Sequence, residues 1–165
     1  MKNNTLRTGL LVTAVATIGA FATYLQAATV STTTSANILQ PIGISKVADI
    51  SFGDVYPDGT LAGTVTLDFA GGRTFGGGAA AGTTAGTSGE FTVTGEAGAL
   101  YALTIPASIA LTGPGTDMTV SLSNNSTGSL VAGTETFQIG GALAVGIAQT
   151  AGAYTATFDV TVNYN

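Results

Sequence analysis

Polar and apolar residues alternate repeatedly along the chain beyond its N-terminal part, and this two-residue period is typical of β-strands. Turn sequences rich in Gly, Pro and Asp separate the alternating segments, such as YPDG at 56–59 and TGPGTD at 112–117. The spacing predicts an all-β domain over residues 41–165, built as a two-layer antiparallel β-sandwich of about seven to nine strands. The predicted strands are residues 50–55, 62–69, 89–95, 100–106, 117–123, 135–145 and the closing segment that ends at Tyr164.

One stretch of the predicted domain, GGRTFGGGAAAGTTAGTSG at 71–89, shows no alternation. It consists mainly of Gly, Ala and Thr and has few side chains large enough to bury, so it predicts a mobile surface loop. Its glycines alone suggest a phosphate-binding loop, but no Lys follows them to neutralise a phosphate and no helix pattern begins behind them. We therefore interpret residues 71–89 as a Gly-rich loop without a phosphate site.

The first residues of the chain have the features of a secretory signal peptide. Lys2 and Arg7 precede an apolar run from about residue 9 to residue 22, and the small residues Ala27 and Ala28 follow it. The run is shorter than the roughly 20 apolar residues that cross a bilayer. We therefore predict that residues 1–27 are a cleaved signal peptide and that no membrane span remains after cleavage. The product is expected to pass through the periplasm to the cell surface or the extracellular space.

Composition and charge limit the partners that the exported chain can bind. The chain has 165 residues, 45% of them hydrophobic, which is typical of one folded domain. Its net charge is −5, and after signal cleavage Lys46 and Arg73 are the only basic residues left. Without clustered Lys and Arg, no nucleic-acid partner is expected. The chain has no Cys and therefore no disulfide, so stability must come from the core or from contacts between subunits.

The sequence offers little for catalysis. It has no His and no Cys, so the commonest general base, the thiolate nucleophile and the usual transition-metal ligands are missing. Ser45 and Lys46 are adjacent and would point to opposite faces of a strand. Asp54 and Asp58, with oxygens from Thr60, are a weak candidate for calcium binding, because they lack the repeated acidic spacing of a calcium loop. We predict no enzyme, no cofactor and no catalytic, cofactor-binding or metal site. The acidic residues at strand ends and turns are expected to be solvated or to cap turns: Asp54, Asp58, Glu90 and Glu96.

The closing segment, GAYTATFDVTVNYN, alternates more regularly than any other. Its inward-facing residues are predicted to be Tyr154, Ala156, Phe158, Val160, Val162 and Tyr164. Gly152 is fourteenth from the end of the chain and the aromatic Tyr164 is penultimate, a framing that resembles the C-terminal motif of chaperone-usher pilus subunits. The resemblance implies an incomplete immunoglobulin-like sandwich. It also implies a periplasmic chaperone that pairs with this assembly strand, and an outer-membrane usher that polymerises the subunits. The missing strand would then come from the N-terminal extension of the next subunit.

The predicted mature N-terminus, residues 28–40, contains a candidate for that extension. Eleven residues, 28–38, would reach about 36 Å when extended, which is long enough for a sheet edge. Pro41 would break the hydrogen-bond ladder and separate the extension from the domain. The same segment is a competitor for completing the sandwich of its own chain. The inward-facing residues of this candidate donor strand are Val30, Thr32, Thr34, Ala36 and Ile38.

A second resemblance covers most of residues 28–165. The segments ISFGDV, GEFTVTGEAGALYALTIP, MTVSLS and AGAYTATFDVTVNY follow one another as in a bacterial domain-of-unknown-function family, numbered forty-four zero two. That resemblance implies little about function. Our leading hypothesis is a secreted, fimbrial subunit-like structural protein of the cell surface, with a role in cell adhesion, that assembles with other copies or related subunits by strand complementation. The alternative is a self-contained extracellular binding module that uses its own first strand and the loop at 71–89.

Overall fold

The computed structural model describes residues 27–165, so the predicted signal peptide lies outside the described residues except for its last position. The chain divides into two units, Met1–Ala36 and Asn37–Asn165. In the first unit, the described residues 27–36 are exposed and none of them belongs to a strand. All the strands described below belong to the second unit.

The second unit is built from short antiparallel strands. No helix occurs among residues 27–165, and consequently none that is long and apolar enough to cross a membrane. The eleven strands are β1 (Gly43–Ala48), β2 (Val55–Pro57), β3 (Gly63–Leu67), β4 (Arg73–Gly77), β5 (Ala79–Ala81), β6 (Gly89–Thr94), β7 (Tyr101–Thr104), β8 (Ser108–Leu111), β9 (Met118–Asn124), β10 (Thr134–Val145) and β11 (Thr161–Tyr164).

The longest strand, β10, organises the main sheet. Its first half pairs with β6, which in turn pairs with the edge strand β1. Its second half pairs with β3 and with β9. Gly141 pairs with Leu67 on one side and with Leu122 on the other, and a Cβ there would collide with the backbone of Ser121. Glycine at this position therefore lets two neighbouring strands approach β10 closely.

Two small sheets face the main sheet. β7 pairs with β11, and β2 pairs with β5. The result is a sandwich-like all-β fold, which confirms the predicted fold class, with more strands than the seven to nine that we expected. β1 and β8 were not predicted, and β11 covers only the last part of the predicted closing strand.

The Gly-rich stretch at 71–89 differs from its prediction. It contains β4 and β5, and β4 pairs with β3 along its whole length, so the expectation of a patternless surface loop is wrong for this part of the chain. At the end of this pairing Gly63 lies opposite Gly77, and Ala79 of β5 packs directly against Gly63 and is 8% exposed. Phe75 is the one large apolar residue of β4 and β5 has none, so the sequence shows no hydrophobic period to detect.

The buried side chains form two core clusters, each packed against a different half of β10. Cluster 1 lies against the second half of the strand and consists of Val65, Ala79, Met118, Val120, Leu143 and Val145. Cluster 2 lies against the first half and consists of Val93, Tyr101, Leu130, Phe137 and Ile139. β7 and β11 pack over cluster 2 through Leu103, Val162 and Tyr164. The cover over cluster 1 is less complete, and that difference creates the site described next.

Candidate strand-binding groove

An open groove of about 600 Å³ lies over cluster 1. One wall is residues 50–57, which lead into and include β2, and the other wall is the segment that begins near Gln149 and runs past Phe158. Half-buried apolar side chains line the walls, including Phe52 and Tyr154. Polar side chains such as Asp54, Gln149 and Thr155 also lie along the walls, so the apolar character of the groove is greatest at its floor. Its floor consists of Met118, Val120, Leu143 and Val145, each less than a tenth exposed.

A shallower groove of about 460 Å³ continues the first along the fold. It lies between the edge strand β1 and residues 156–160, and it shares Ile50, Ala156 and Phe158 with the larger groove. Ile44 and Phe91 contribute its apolar lining. Together the two grooves follow the C-terminal segment along most of its length, where a further strand of the sandwich would lie.

The backbone of the C-terminal segment is open along this groove. Thr155 exchanges two hydrogen bonds with Thr112, both at 3.0 Å, and β11 pairs with β7 from residue 161 onward. Between them, the N–H and C=O groups of residues 156–160 have no hydrogen-bond partner in the described part of the chain. Five consecutive residues of extended, unpaired backbone are a template for the addition of another strand.

The side chains of the C-terminal segment alternate as the sequence predicts, with one difference. Every odd position from 155 to 165 is exposed, and the even positions are half-buried except Ala156, which is exposed. Tyr154 packs against cluster 1, whereas Phe158, Val160, Val162 and Tyr164 pack against cluster 2. None of the predicted inward residues is fully buried, because this side of the sandwich is open.

Gly152 begins the segment with a backbone conformation that favours glycine. Its φ is +148°, and a Cβ there would lie 2.5 Å from the ring of Pro114. Two residues later, the Tyr154 hydroxyl donates a hydrogen bond to the Thr150 carbonyl at 2.8 Å and accepts one from the Gln149 amide at 2.9 Å. Gly152 therefore has a local structural role at the start of the groove wall.

Tyr164 connects the end of the chain to the start of the domain. Its hydroxyl donates a hydrogen bond to the Gln40 carbonyl at 2.7 Å and accepts one from the Glu96 N–H at 2.7 Å. The Glu96 carboxylate accepts a hydrogen bond from the Gln40 N–H at 3.0 Å. We call these three bonds the Gln40 anchor. They fix the point at which residues 28–38 leave the domain, and the sequence contained no signal for them.

The candidate donor residues are solvent-exposed. Val30 is 96% exposed and Ile38 is 93% exposed. Thr32, Thr34 and Ala36 are also exposed, and none of the five is part of a strand. Two large apolar side chains in full contact with water are a source of free energy for any association that buries them.

The acidic residues considered for metal binding, Asp54 and Asp58, accept hydrogen bonds from hydroxyl and backbone N–H groups. The hydroxyls of Thr84 and Thr83 donate to Asp54, and these hydrogen bonds lower the pKa of its carboxyl group. The hydroxyl and N–H of Thr60 do the same for the pKa of Asp58. Within residues 27–165, no group of three or more acidic residues is arranged to hold a metal ion. Asp58 thus caps its own turn, as expected from the sequence, whereas Asp54 joins residue 54 to the loop at 83–84, which is 29 and 30 positions further along the chain.

Lys46 and its neighbour Ser45 each contact a different residue. The ammonium group of Lys46 pairs with Asp49 at 2.5 Å on an exposed part of the surface. The hydroxyl of Ser45 donates a hydrogen bond to the carbonyl of Thr92, its paired residue in β6, at 3.4 Å. The two side chains therefore form no dyad, as the alternation along a strand requires.

Comparison with known proteins assigns a family but no activity. No curated protein and no solved structure matches the sequence. A family model described as "Domain of unknown function (DUF4402)" matches residues 42–164, which include all eleven strands and both walls of the groove. The protein therefore belongs to the DUF4402 family.

Proposed function

We propose that this protein is a secreted structural subunit, similar to those of fimbriae, whose groove receives an extended segment of another copy. The observation that carries the proposal is the unpaired backbone of residues 156–160 beside an apolar groove. An inserted strand would pair with that backbone and cover the apolar walls at the same time. Neither gain is available to the isolated domain.

Residues 28–38 have the length and pattern of the inserted strand. Extended, they reach about 36 Å, as do the eleven residues 154–164 of the closing segment beside which they would lie. Val30 and Ile38 are almost fully exposed, and each would contribute roughly 1.5–3 kcal/mol if the groove buried its side chain. The small residues between them suit a strand that must enter a narrow space between two walls.

Export and partners are part of the same proposal. The signal-like residues 1–27 would direct the chain out of the cytoplasm, and the mature subunit would assemble at the cell surface. An open apolar groove with an unpaired strand edge is prone to wrong pairing. A chaperone that covers residues 154–164 in the periplasm, and an usher that exchanges it for the next subunit, would prevent such pairing.

A disulfide trap tests the inserted strand directly, because the chain has no native Cys. Thr33 and Asp159 are the midpoints of residues 28–38 and 154–164, so they would lie opposite each other if the two segments pair along their full length, whichever direction the inserted strand takes. Both are exposed. We expect Thr33→Cys combined with Asp159→Cys to give a ladder of oxidised oligomers on a non-reducing gel. Thr33→Cys combined with Thr64→Cys, an exposed position of β3, is the matched control and should give no ladder.

The trap also separates the two hypotheses about the extension. A disulfide-bonded monomer would mean that residues 28–38 complete their own sandwich, as in a self-contained binding module. If neither an intermolecular nor an intramolecular disulfide forms, both uses of the segment are contradicted. Electron microscopy of exporting cells gives a second readout, in which filaments should disappear when residues 28–38 are deleted.

A further inference from the structure

The Gln40 anchor lies at one end of the strands, which we call the root end. β1 begins there at Gly43, paired with Thr94, and Thr94 is also paired with Thr134, the first residue of β10. The loop after β6 holds Glu96, the acceptor of the Gln40 N–H. Three large apolar side chains are exposed at this end: Leu39 at 55%, Leu100 at 57% and Val131 at 81%.

The opposite end of β10 is the mouth end of the groove. Val145, the last residue of β10, pairs with Gly63, and Ala148 donates a backbone hydrogen bond to Asp58 at 2.8 Å. These contacts join the turn after β2 to the loop after β10. Three large apolar side chains are exposed here as well: Tyr56 at 61%, Leu61 at 56% and Ile147 at 55%.

The connection between the donor segment and the root end is very short. From Ile38 to the anchored Gln40 is two residues, which span at most about 7 Å. Pro41 follows Gln40 and biases it toward an extended backbone, so the chain is not expected to reverse direction there. A segment 28–38 that continues the direction of β1 into another copy would enter at the mouth end of that copy.

We infer that successive copies of this protein also contact each other end to end, through an apolar interface between the root end of one copy and the mouth end of the next. The inference rests on the proposed function, because the short connection forces the contact only if residues 28–38 are inserted. The partner is a second copy of this chain. The contacting side chains are Leu39, Leu100 and Val131 on the root end and Tyr56, Leu61 and Ile147 on the mouth end.

The ionisable groups at the two ends favour an apolar rather than an ionic contact. Glu96 is the acidic residue of the anchor at the root end, and Asp58 caps the turn at the mouth end. Opposed carboxylates give no attraction, so burial of the apolar side chains must provide the favourable free energy. The contact should therefore persist, or strengthen, as salt concentration rises.

The test uses the full chain with Thr33→Cys and Asp159→Cys and adds Leu100→Asp with Val131→Asp. The intermolecular disulfide ladder should still form, because the groove is unchanged, whereas unoxidised filaments should become several-fold shorter and more flexible in electron micrographs. Leu61→Asp with Ile147→Asp, at the mouth end, should have the same effect. Val47→Asp is the matched control, since Val47 is 60% exposed on β1, away from both ends.

Each outcome decides between the two proposals. The first outcome is that the protein with only Thr33→Cys and Asp159→Cys, the parent, gives a ladder while both end variants form unaltered filaments. This outcome would overturn the end-to-end contact and leave strand insertion in place. Loss of the ladder in the parent would overturn strand insertion and the end-to-end contact with it. Equal shortening by Val47→Asp would show a general effect of surface charge and would also overturn the end-to-end contact.

Discussion

The two core clusters of this sandwich differ in how they are covered. Cluster 2 is enclosed, because β7 and β11 pair with each other above it and place Leu103, Val162 and Tyr164 on it. Cluster 1 has comparable buried side chains at its base, but its cover consists of two wall segments with a groove of about 600 Å³ between them. The same C-terminal segment borders both, paired at one end and unpaired in the middle.

This difference shows that one sandwich can be covered by paired strands at one end and carry an open groove at the other. The floor of the groove is still below a tenth exposed, so the domain does not need the extra strand to bury its core. What the extra strand would add is backbone pairing and cover for the walls. The domain therefore has a buried core and, beside it, unpaired backbone at residues 156–160.

The largest expected effect comes from comparing matched leucines in the two clusters. Leu130 is 0% exposed in cluster 2 and Leu143 is 3% exposed in cluster 1. Leu130→Ala should lower the free energy of unfolding by about 4 kcal/mol, and Leu143→Ala by about 2 kcal/mol, because the walls of the groove can move inward to fill the space. Urea denaturation of both variants measures the difference. Equal losses would mean that cluster 1 is as rigidly enclosed as cluster 2.

A second effect, specific to cluster 2, is expected at alkaline pH. Burial, together with the hydrogen bond that its hydroxyl donates to Glu135 at 2.7 Å, raises the pKa of Tyr101 to about 12. The folded state therefore binds this proton more tightly than the unfolded state, whose tyrosine has a pKa near 10. The stabilisation is complete below pH 10 and is lost as the pH rises through about 12.

The measurement is denaturant unfolding of the wild type and of Tyr101→Phe between pH 9 and pH 12, a range set by the ordinary and raised pKa values. The variant should be less stable near neutral pH, where Glu135 loses a donor, and its stability should fall less steeply above pH 10. The same slope in both proteins would show that another group controls alkaline unfolding.

A smaller effect is expected where the groove wall begins. Gly152→Ala should cost about 1–2 kcal/mol, because alanine is strained at φ of +148° and its Cβ would collide with Pro114. Gly59→Ala is the control, since Gly59 has no atom within 4 Å of an added Cβ and no positive φ. Thermal unfolding of the two variants should differ. If they unfold alike, the backbone geometry at residue 152 does not require glycine.

The smallest expected effect concerns the Gln40 anchor. Tyr164→Phe keeps the ring against cluster 2 and removes the hydroxyl, so it should cost about 1 kcal/mol. Hydrogen exchange should quicken at the Glu96 N–H, which loses its acceptor, while amides of β10 such as Phe137 remain protected. Exchange that is unchanged at Glu96 would mean that the Tyr164 hydroxyl does not hold this loop.

The sequence predicted much of the fold because most strands carry a two-residue period. The strands β3, β6, β7, β9 and β10 lie within or close to predicted segments. β4 and β5 escaped prediction because Phe75 is the one large apolar residue of β4 and β5 has none, which leaves no hydrophobic period. Residues 50–54 have the inward-facing Ile50 and Phe52 that alternation predicts, yet they form a groove wall with one bridge at Ser51 and no strand.

The candidate site could be predicted only in part. Alternation identified which side chains of the closing segment face inward, and the structure follows it at every even position except Ala156. The sequence could not show that residues 156–160 lack a pairing partner, because an edge and a central strand can have the same pattern. Nor could it show the hydrogen bond between Tyr164 and Gln40, which joins residues 124 positions apart.

The unpaired stretch at residues 156–160 has a consequence for measurement of this protein's stability. If its partner strand comes from another molecule, folding and association are linked by mass action. The melting temperature then depends on protein concentration as well as on sequence. Dilution should then lower the midpoint of thermal unfolding of the full chain. Deletion of residues 28–38 should make that midpoint independent of concentration.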